Sequence, residues 1–220
     1  MKGFIDKTRY RSRLNKLGQI IEVLGASPKD KLLEVGVANR EYSEVDNFLV
    51  KHYPYPENIT ALGLGDISIF RKRYPHIRAF SYEGGGFPFN DHEFDIVHSN
   101  AVIEHVGGPE AQRLFLKELA RVAKKGLITT PNRYFPVETH TKVPFLHWLR
   151  KDQFDFFLEK IGKRWATGAY MHLLSGRDLD NCAHGAGLSD YRIIRNRLFG
   201  LTLTFTLVWS TVKKNRQEKR

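Results

Sequence analysis

Three histidines and one carboxylate in the second half of the chain have the residue types and spacing of acid–base chemistry. Glu138 and His140 stand two residues apart, so in an extended segment they lie on the same side of the backbone. His140, His147 and His105 are candidates for a general base, with Glu138 as the group that orients an imidazole. Glu138, His140 and His147 could also bind a metal ion, but the sequence offers no convincing fourth ligand, so we expect no metal.

Four further segments combine glycine, acidic and small polar residues at the ends of short apolar runs. Such runs are typical of buried strands, and open α/β sheets bind ligands at the carboxyl ends of their strands. The sequence therefore predicts a ligand site built from these segments. They are Leu32–Arg40, Gly63–Asp66, Tyr82–Phe89, and Phe94–Ala101 with the Glu104-His105 pair that follows.

Strands and helices that alternate along the chain must position these residues. The alternation predicts an α/β fold with a mostly parallel sheet, and two final β-rich runs separated by Phe199–Gly200 predict an antiparallel hairpin. The predicted strands are Lys31–Val35, Ile59–Leu64, Ile77–Tyr82, Phe94–His98, Gly126–Thr130, Tyr191–Arg197 and Leu203–Val212. The predicted helices are Tyr10–Leu24, Tyr42–His52, Asp66–Tyr74, Pro109–Ala123 and one that begins with a capping box at Ser175 and Asp178.

One segment interrupts this alternation. Arg133–Gly168 is too long for a plain connection and is rich in aromatic and ionisable residues, which predicts a lid or substrate platform. The length of 220 residues predicts a single domain, 1–220, that contains this insertion. A single cysteine, Cys182, rules out an internal disulfide and favours a reducing, cytoplasmic location.

The net charge of +11 is concentrated at the two ends of the chain. Residues 1–31 hold eight basic and three acidic residues, and residues 192–220 hold eight basic and one acidic residue. Solvated tails explain this distribution, so a nucleic-acid partner is possible but not favoured, and peripheral contact with a membrane stays open. No apolar run approaches the roughly 20 residues of a transmembrane helix. The oligomeric state is not predicted.

The order of the motifs resembles that of class I S-adenosylmethionine-dependent methyltransferases over residues 30–132. The motifs are Leu32-Leu33-Glu34-Val35-Gly36, Phe87-Pro88-Phe89, Phe94-Asp95-Ile96-Val97 and Ala101-Val102-Ile103-Glu104-His105-Val106. The later Thr130-Pro131-Asn132-Arg133 stretch, with Glu138, His140 and His147-Trp148, is similar to a bacterial subgroup found among glycan and cell-envelope genes.

This resemblance implies a Rossmann-like, doubly wound, seven-stranded sheet and S-adenosyl-L-methionine as the cofactor. It implies that Glu34 and Gly36 contact the methionine moiety and that Asp66 accepts the ribose hydroxyls. The implied cofactor-binding residues are Glu34, Gly36, Asp66, Tyr82, Glu83, Gly84, Ser99 and Asn100. The implied reaction is methyl transfer to a small-molecule or glycan acceptor, directed at oxygen, with His140, His147 or His105 as the base.

The first motif departs from the family pattern, because Ala38 and Arg40 replace its second and third glycines. Asn39 between them tolerates left-handed backbone angles. Asp66 could instead cap the helix that follows it. An RNA methyltransferase and a catalytically inactive binding protein of the same fold stay open as alternatives. A dehydrogenase is disfavoured, since Gly36–Glu41 lacks G-x-G-x-x-G.

Overall fold

The computed structural model describes residues 2–138, 141–168 and 171–211. The candidate base His140, the predicted strand end at Val212 and the rest of the basic C-terminal tail lie outside these residues. The helices are α1 Lys2–Leu24, α2 Phe48–His52, α3 Ser68–Arg73, α4 Pro109–Val122, α5 Lys151–Lys160 and α6 Gly176–Gly185. The strands are β1 Leu32–Val35, β2 Ile59–Leu64, β3 Arg78–Tyr82, β4 Phe94–Asn100, β5 Ala123–Pro131, β6 Tyr191–Leu198 and β7 Leu201–Ser210.

The strands form one seven-stranded sheet in the order β3-β2-β1-β4-β5-β7-β6. β1 pairs in parallel with β2, and β2 pairs in parallel with β3, whereas β6 and β7 are antiparallel. This architecture confirms the predicted fold class. Strand order reverses between β1 and β4, because the chain first builds outward through β2 and β3 and then returns to the other side of β1. In open α/β sheets such a reversal marks the crevice where ligands bind.

The chain divides into two compact units. The first unit comprises residues 1–98 and 121–127, and the second comprises residues 99–120 and 128–220. β4 and β5 contribute residues to both units. A single domain over residues 1–220 stays a prediction.

In the first unit, β1 is buried along its whole length: Leu32, Leu33 and Val35 are apolar, and the one charged residue among them, Glu34, is buried as well. The prediction of a helix over Tyr42–His52 is wrong for its first half, because only Phe48–His52 is helical. The Asp46 carboxylate accepts hydrogen bonds from the backbone of Tyr42 and Ser43. Asn47 then adopts a left-handed conformation with φ 49°. These local side-chain hydrogen bonds compete with helix formation.

In the second unit, the segment that interrupts the alternation contains α5 and two short 3₁₀ helices, Leu146–Trp148 and Arg164–Ala166. Phe154, Leu158, Ala166 and Met171 form a small buried core of their own. The predicted capping box begins α6: Asp178 N donates to Ser175 Oγ at 3.2 Å, and Ser175 N donates to Asp178 Oδ2 at 2.8 Å. In the part of the chain that the structure describes, no helix is long and apolar enough to cross a membrane.

Candidate functional site

A buried carboxylate–imidazole pair lies at the point where strand order reverses. Glu34 of β1 accepts a hydrogen bond at Oε2 from Nδ1 of His98 on β4, and the two residues are only 8% and 5% exposed. The other ring nitrogen of His98, Nε2, is buried with no hydrogen-bond partner among the described residues. Since buried polar atoms are almost always paired, this nitrogen marks a place for a ligand group or water. His98 was not predicted, and a partner 64 positions away leaves no local sequence signal.

The turn after β1 is held by backbone geometry and by an asparagine. Gly36 has φ +94°, which a residue with a Cβ rarely adopts, and its N–H donates to Leu62 O at 2.8 Å. The side-chain amide of Asn47 hydrogen-bonds both backbone polar groups of Ala38. Ala38 N donates to Asn47 Oδ1 at 2.8 Å, and Asn47 Nδ2 donates to Ala38 O at 2.9 Å. The turn is therefore fixed without the glycines that Ala38 and Arg40 replace.

A cluster of charged and polar side chains around Glu41 holds the side chain of Asn47 in place. The Glu41 carboxylate accepts from Asn47 Nδ2 at 3.0 Å and from the Tyr74 hydroxyl at 2.5 Å, and it pairs with Lys51 and Arg73. Burial alone would raise the pKa of Glu41, but these hydrogen bonds and cations hold it below its ordinary value. Glu41 is thus ionised at neutral pH and stabilises the turn after β1 through its hydrogen bond with Asn47.

The Asp66 carboxylate accepts three hydrogen bonds at the end of β2. Ser68 N donates to Oδ1 at 2.9 Å, and Asn39 Nδ2 and Ser68 Oγ donate to Oδ2 at 3.0 and 3.1 Å. Hydrogen bonds from Ser68 hold the pKa of this exposed carboxyl below its ordinary value. Asn39 Oδ1 in turn accepts from the N–H groups of Ile69 and Phe70 in the first turn of α3. Asp66 Oδ2 therefore accepts two hydrogen bonds, whereas Asp66 Oδ1 accepts one and keeps one lone pair for a further donor.

The end of β3 supplies an open, glycine-lined surface. The ring of Tyr82 is half-buried and packs edge-on against Phe87, with 5.3 Å between ring centroids. Gly84 and Gly85 have φ +97° and +76°, and a Cβ at either position would meet nothing within 4 Å. Glu83 lies between Tyr82 and these glycines. Gly65 N donates to Tyr82 O at 2.8 Å, which ties the ends of β2 and β3 together.

Three of the predicted positions in the first unit are connected by contacts within that unit. Glu34 lies in β1. Asn39, in the turn after β1, donates a hydrogen bond to Asp66. Gly65, which precedes Asp66 in the chain, donates a backbone hydrogen bond to Tyr82. The carboxyl ends of β1, β2 and β3 therefore carry one continuous row of candidate contacts. The predicted roles of the individual residues stay predictions.

The remaining predicted residues lie in the second unit. Ser99 and Asn100 end β4; the Ser99 hydroxyl is buried, and Asn100 Oδ1 accepts from Thr129 Oγ1 at 2.6 Å. His105 ends a 3₁₀ helix and is half-buried. Glu104 beside it is fully buried, and its carboxylate accepts from Thr130 Oγ1 at 3.1 Å.

A cavity of about 410 Å³ lies within the second unit. Its lining includes the predicted His147 and the unpredicted His172, together with side chains of α4, α5 and α6. Burial lowers the pKa of both imidazoles below the ordinary value of 6.5. Lys151 lowers the pKa of His172 further. Both rings are therefore neutral at neutral pH.

The hydrogen bond of His147 identifies its tautomer. Nε2 lies 2.8 Å from Phe135 O, and because a carbonyl oxygen only accepts, Nε2 carries the proton. In the neutral ring the lone pair is then on Nδ1, the nitrogen that can accept a proton. Glu138 is buried, and its carboxylate accepts from Thr141 N at 2.5 Å. Among the described residues no group of three or more His, Cys, Asp or Glu is arranged to hold a metal ion.

Charges in the cavity lining largely cancel. Arg113 pairs with Glu110, and Lys151 donates to Asp155 at 2.5 Å. The carboxylate of Asp178 is occupied by the capping box of α6. Gln112 Nε2 donates to His172 O at 2.8 Å, so its Oε1 and the amide of Asn181 supply the remaining hydrogen-bonding capacity. Phe154, Met171 and Leu174 also line the cavity, which therefore suits a ligand with both apolar and hydrogen-bonding groups.

Comparisons with known proteins agree on one family of folds. Residues 65–128 match a family model described as a methyltransferase domain. No protein in a search of curated proteins matches the chain. A structure from Thermotoga maritima, described as a SAM-dependent methyltransferase and possible histamine N-methyltransferase, is 15% identical with a TM-score of 0.58, and the match covers 95% of this chain and 92% of that one.

Two further solved structures have the same fold. A SAM-dependent methyltransferase from Aquifex aeolicus is 15% identical with a TM-score of 0.57, covering 96% of this chain and 99% of its own. The N-terminal domain of EvdMO1, solved with SAH bound, is 14% identical with a TM-score of 0.53, covering 90% of this chain and 80% of its own. At these identities the likeness shows the fold and leaves the acceptor undefined.

Proposed function

We propose that the chain is a class I S-adenosylmethionine-dependent methyltransferase that methylates a hydroxyl group of a small-molecule or glycan acceptor; the methyltransferase-domain model that matches residues 65–128 and the order of the sheet support the family. The observation that carries the proposed reaction is the neutral His147 in the wall of a cavity of mixed polar and apolar lining. A hydroxyl acceptor needs a base for its proton, and a histidine held neutral supplies one.

The row of residues along β1, β2 and β3 fits the chemistry of the cofactor. The Glu34 carboxylate and the unpaired Nε2 of His98 are acceptors suited to the ammonium group of the methionine moiety. Asp66 is an ionised carboxylate whose Oδ1 has one open lone pair for a ribose hydroxyl, and the second hydroxyl would replace Asn39 or the Ser68 hydroxyl at Oδ2. The open backbone at Gly84 and Gly85 leaves space for a flat base beside Tyr82. When bound, S-adenosylmethionine supplies a methyl group already activated on a sulfonium.

The protein then has to orient the acceptor and remove one proton. Gln112 and Asn181 can orient hydroxyl groups in the cavity, which raises the effective concentration of the nucleophile. His147 Nδ1 is buried and without a hydrogen-bond partner among the described residues, so it takes the hydroxyl proton after a small shift of its surroundings opens it to the acceptor, while Nε2 stays bound to Phe135 O and fixes the ring. Most charges of the lining are paired, with Arg133 as the exception, which favours a small hydroxyl acceptor over a nucleic acid, whose several phosphates would need several cations.

Calorimetric titration with S-adenosylhomocysteine tests the cofactor assignment. We expect wild-type protein to bind, and Glu34→Gln and Asp66→Asn each to weaken binding about tenfold, since each loses one charge-assisted hydrogen bond. The matched control is Glu57→Gln, an exposed carboxylate on the 3₁₀ helix that precedes the amino end of β2, opposite to the carboxyl end that carries Asp66. Unchanged affinity in both site variants would refute the residue assignment, and absence of binding to the wild type would support an inactive binding protein.

The acceptor is tested by methyl transfer from labelled S-adenosylmethionine to sugars, small phenols and RNA. Transfer to a sugar or small hydroxyl compound is the expected result. Transfer to RNA that falls steeply with salt would overturn the proposed acceptor class while leaving the cofactor site intact.

A further inference from the structure

One cation in the lining of the cavity in the second unit has no counter-charge. The charged side chains of the lining are Glu110, Arg113, Arg133, Lys151 and Asp178. Arg113 forms an ion pair with Glu110. Lys151 forms one with Asp155 of the same helix. Within the part of the chain that the structure describes, the side chain of Arg133 forms neither an ion pair nor a hydrogen bond.

The carboxylate of Asp178 does not supply the missing counter-charge. Its Oδ2 accepts from Ser175 N at 2.8 Å in the capping box, and it stands in the first turn of α6, where the helix dipole stabilises a negative charge. No ion pair joins it to Arg133 among the described residues. The Arg133 guanidinium therefore keeps its positive charge in the cavity lining without a protein carboxylate to neutralise it.

Hydrogen bonds hold the backbone at Arg133 in a fixed position. Arg133 N donates to Leu174 O at 3.0 Å, and Leu174 lines the same cavity. The preceding residue, Asn132, donates from N to Leu203 O at 2.9 Å and from Nδ2 to Thr202 O at 2.8 Å, both in β7. A side chain that starts from a fixed backbone needs less reorganisation when it binds a ligand.

Arg133 lies within electrostatic reach of the candidate base. Burial is the largest cause that lowers the pKa of His147, and the positive charge of Arg133 lowers it further. The cavity lining therefore contains a guanidinium and a neutral imidazole that influence each other. A small ligand can bind the guanidinium with one end and place a hydroxyl group at the imidazole with the other.

The rest of the lining restricts the ligand further. Phe154 and Met171 offer an apolar surface for a carbon skeleton, and the amide of Asn181 can bind a hydroxyl group. A volume of about 410 Å³ is that of a small-molecule pocket. A guanidinium binds a carboxylate or a phosphate through two parallel hydrogen bonds. Because one guanidinium is available, the lining matches a ligand with a single oxyanionic group.

We propose that the cavity binds a small hydroxyl compound that carries one carboxylate or phosphate, with this oxyanion on Arg133 and a hydroxyl group at His147. We call such a ligand an acidic hydroxyl compound. The inference rests on the proposed function, because it names the class of acceptor that the same site takes. In this role Arg133 determines specificity, since it distinguishes an acidic acceptor from its neutral counterpart.

Calorimetric titration of the full chain without cofactor measures this selectivity. The probes are acids compared with neutral counterparts: glucuronate and glucose-6-phosphate with glucose, and para-hydroxybenzoate with para-hydroxybenzyl alcohol. We expect at least one acid to bind about tenfold or more tightly than its neutral counterpart, because hydrogen bonds between charged groups are the strong ones. The comparison of glucuronate with glucose-6-phosphate shows whether the site prefers a carboxylate or a phosphate.

Variants of Arg133 assign the selectivity to this side chain. Arg133→Gln should lower the affinity for the acid to that for the neutral counterpart. Arg133→Lys should keep part of the preference, because it retains the charge but not the planar pair of donors. The matched control is Arg177→Gln, an exposed arginine of α6 outside the cavity lining, which should bind as the wild type does. Urea denaturation of each variant shows that it folds.

Two results would overturn the inference: no acid binds more tightly than its neutral counterpart, or Arg133→Gln keeps the preference. Methyl transfer to neutral hydroxyl compounds but not to acids would also overturn it, while the proposed reaction would stand. Selective binding of an acid that Arg133→Gln abolishes would support the inference even without methylation of that acid, and would then count against the proposed reaction alone.

Discussion

The surroundings of His147 hold its imidazole in one tautomer and one protonation state. Burial disfavours the imidazolium, and the Phe135 carbonyl fixes the proton on Nε2. A base that is already neutral needs no deprotonation before it acts, so the reaction should tolerate mildly acidic solution. This gives the candidate base a measurable pH signature.

The first prediction concerns the rate profile of methyl transfer. Because the pKa of His147 lies below 6.5, the wild-type rate should change little at and above neutral pH and should fall to half its maximum only at a pH below 6.5, where the ring becomes protonated. His147→Gln should lower the rate by about 100-fold or more with cofactor affinity kept. His184→Gln, an exposed histidine of α6, is the control and should leave the rate unchanged. A His147→Gln variant with the wild-type profile would exclude His147 as the base.

Some residues of the candidate site could be predicted from the sequence, and others could not. Glu34 could be singled out because it stands one residue before the end of a short apolar run that terminates in glycine. His98 could not be singled out, because its significance comes from a contact across two strands that sequence spacing does not encode. His172 was missed for the same reason: only the fold brings it to the cavity wall that contains His147.

At the scale of elements, the turn after β1 depends on side chains that lie far from it in the sequence. Asn47 replaces by hydrogen bonding what a glycine-rich loop achieves by backbone freedom, and Glu41 fixes Asn47. The sequence of this turn therefore departs from the glycine-rich family pattern, although hydrogen bonds fix the conformation of the turn.

The second prediction tests this anchor. Asn47→Ala removes the hydrogen bonds to the half-buried N–H and carbonyl of Ala38, so the free energy of unfolding should fall by about 1–2 kcal/mol. Affinity for S-adenosylhomocysteine should fall with it, because the turn loses its fixed geometry. Urea denaturation and calorimetry measure the two effects. Asn90→Ala, an exposed asparagine, should stay within about 0.5 kcal/mol of the wild type. Equal stability of both variants would show that the turn does not depend on Asn47.

Element boundaries show where sequence patterns are sufficient. The capping box at Ser175 and the hairpin around Phe199–Gly200 were predicted because each depends on a few residues that are close together in the sequence. Residues 42–47 were wrongly assigned to a helix because Asp46 and Asn47 form side-chain contacts that an apolar periodicity does not reveal.

At the scale of the whole molecule, the fold class was predictable because alternating strand and helix patterns permit few sheet topologies. The order β3-β2-β1-β4-β5-β7-β6 ends in the antiparallel hairpin that the last two β-rich runs indicate. The course of residues 133–168 was not predictable, since its small core depends on contacts with Met171 beyond the segment.

The third prediction concerns global stability. S-adenosylhomocysteine at 100 times its dissociation constant should raise the free energy of unfolding by about 2.7 kcal/mol, since a ligand that binds only the folded state stabilises it by mass action. For a chain of this size the melting temperature should rise by roughly 5–10 °C. NAD at the same concentration is the control and should give no shift. A shift with NAD alone would favour a dinucleotide site instead.

The single cysteine gives the cavity a chemical label. Cys182 lines the cavity, and burial raises the pKa of its thiol to about 11, so almost none of it is thiolate at neutral pH. Alkylation should therefore be slow, follow a single exponential and accelerate as the solution becomes alkaline. A compound that occupies the cavity would shield the sulfur, so protection from alkylation could rank candidate acceptors before any turnover is detected.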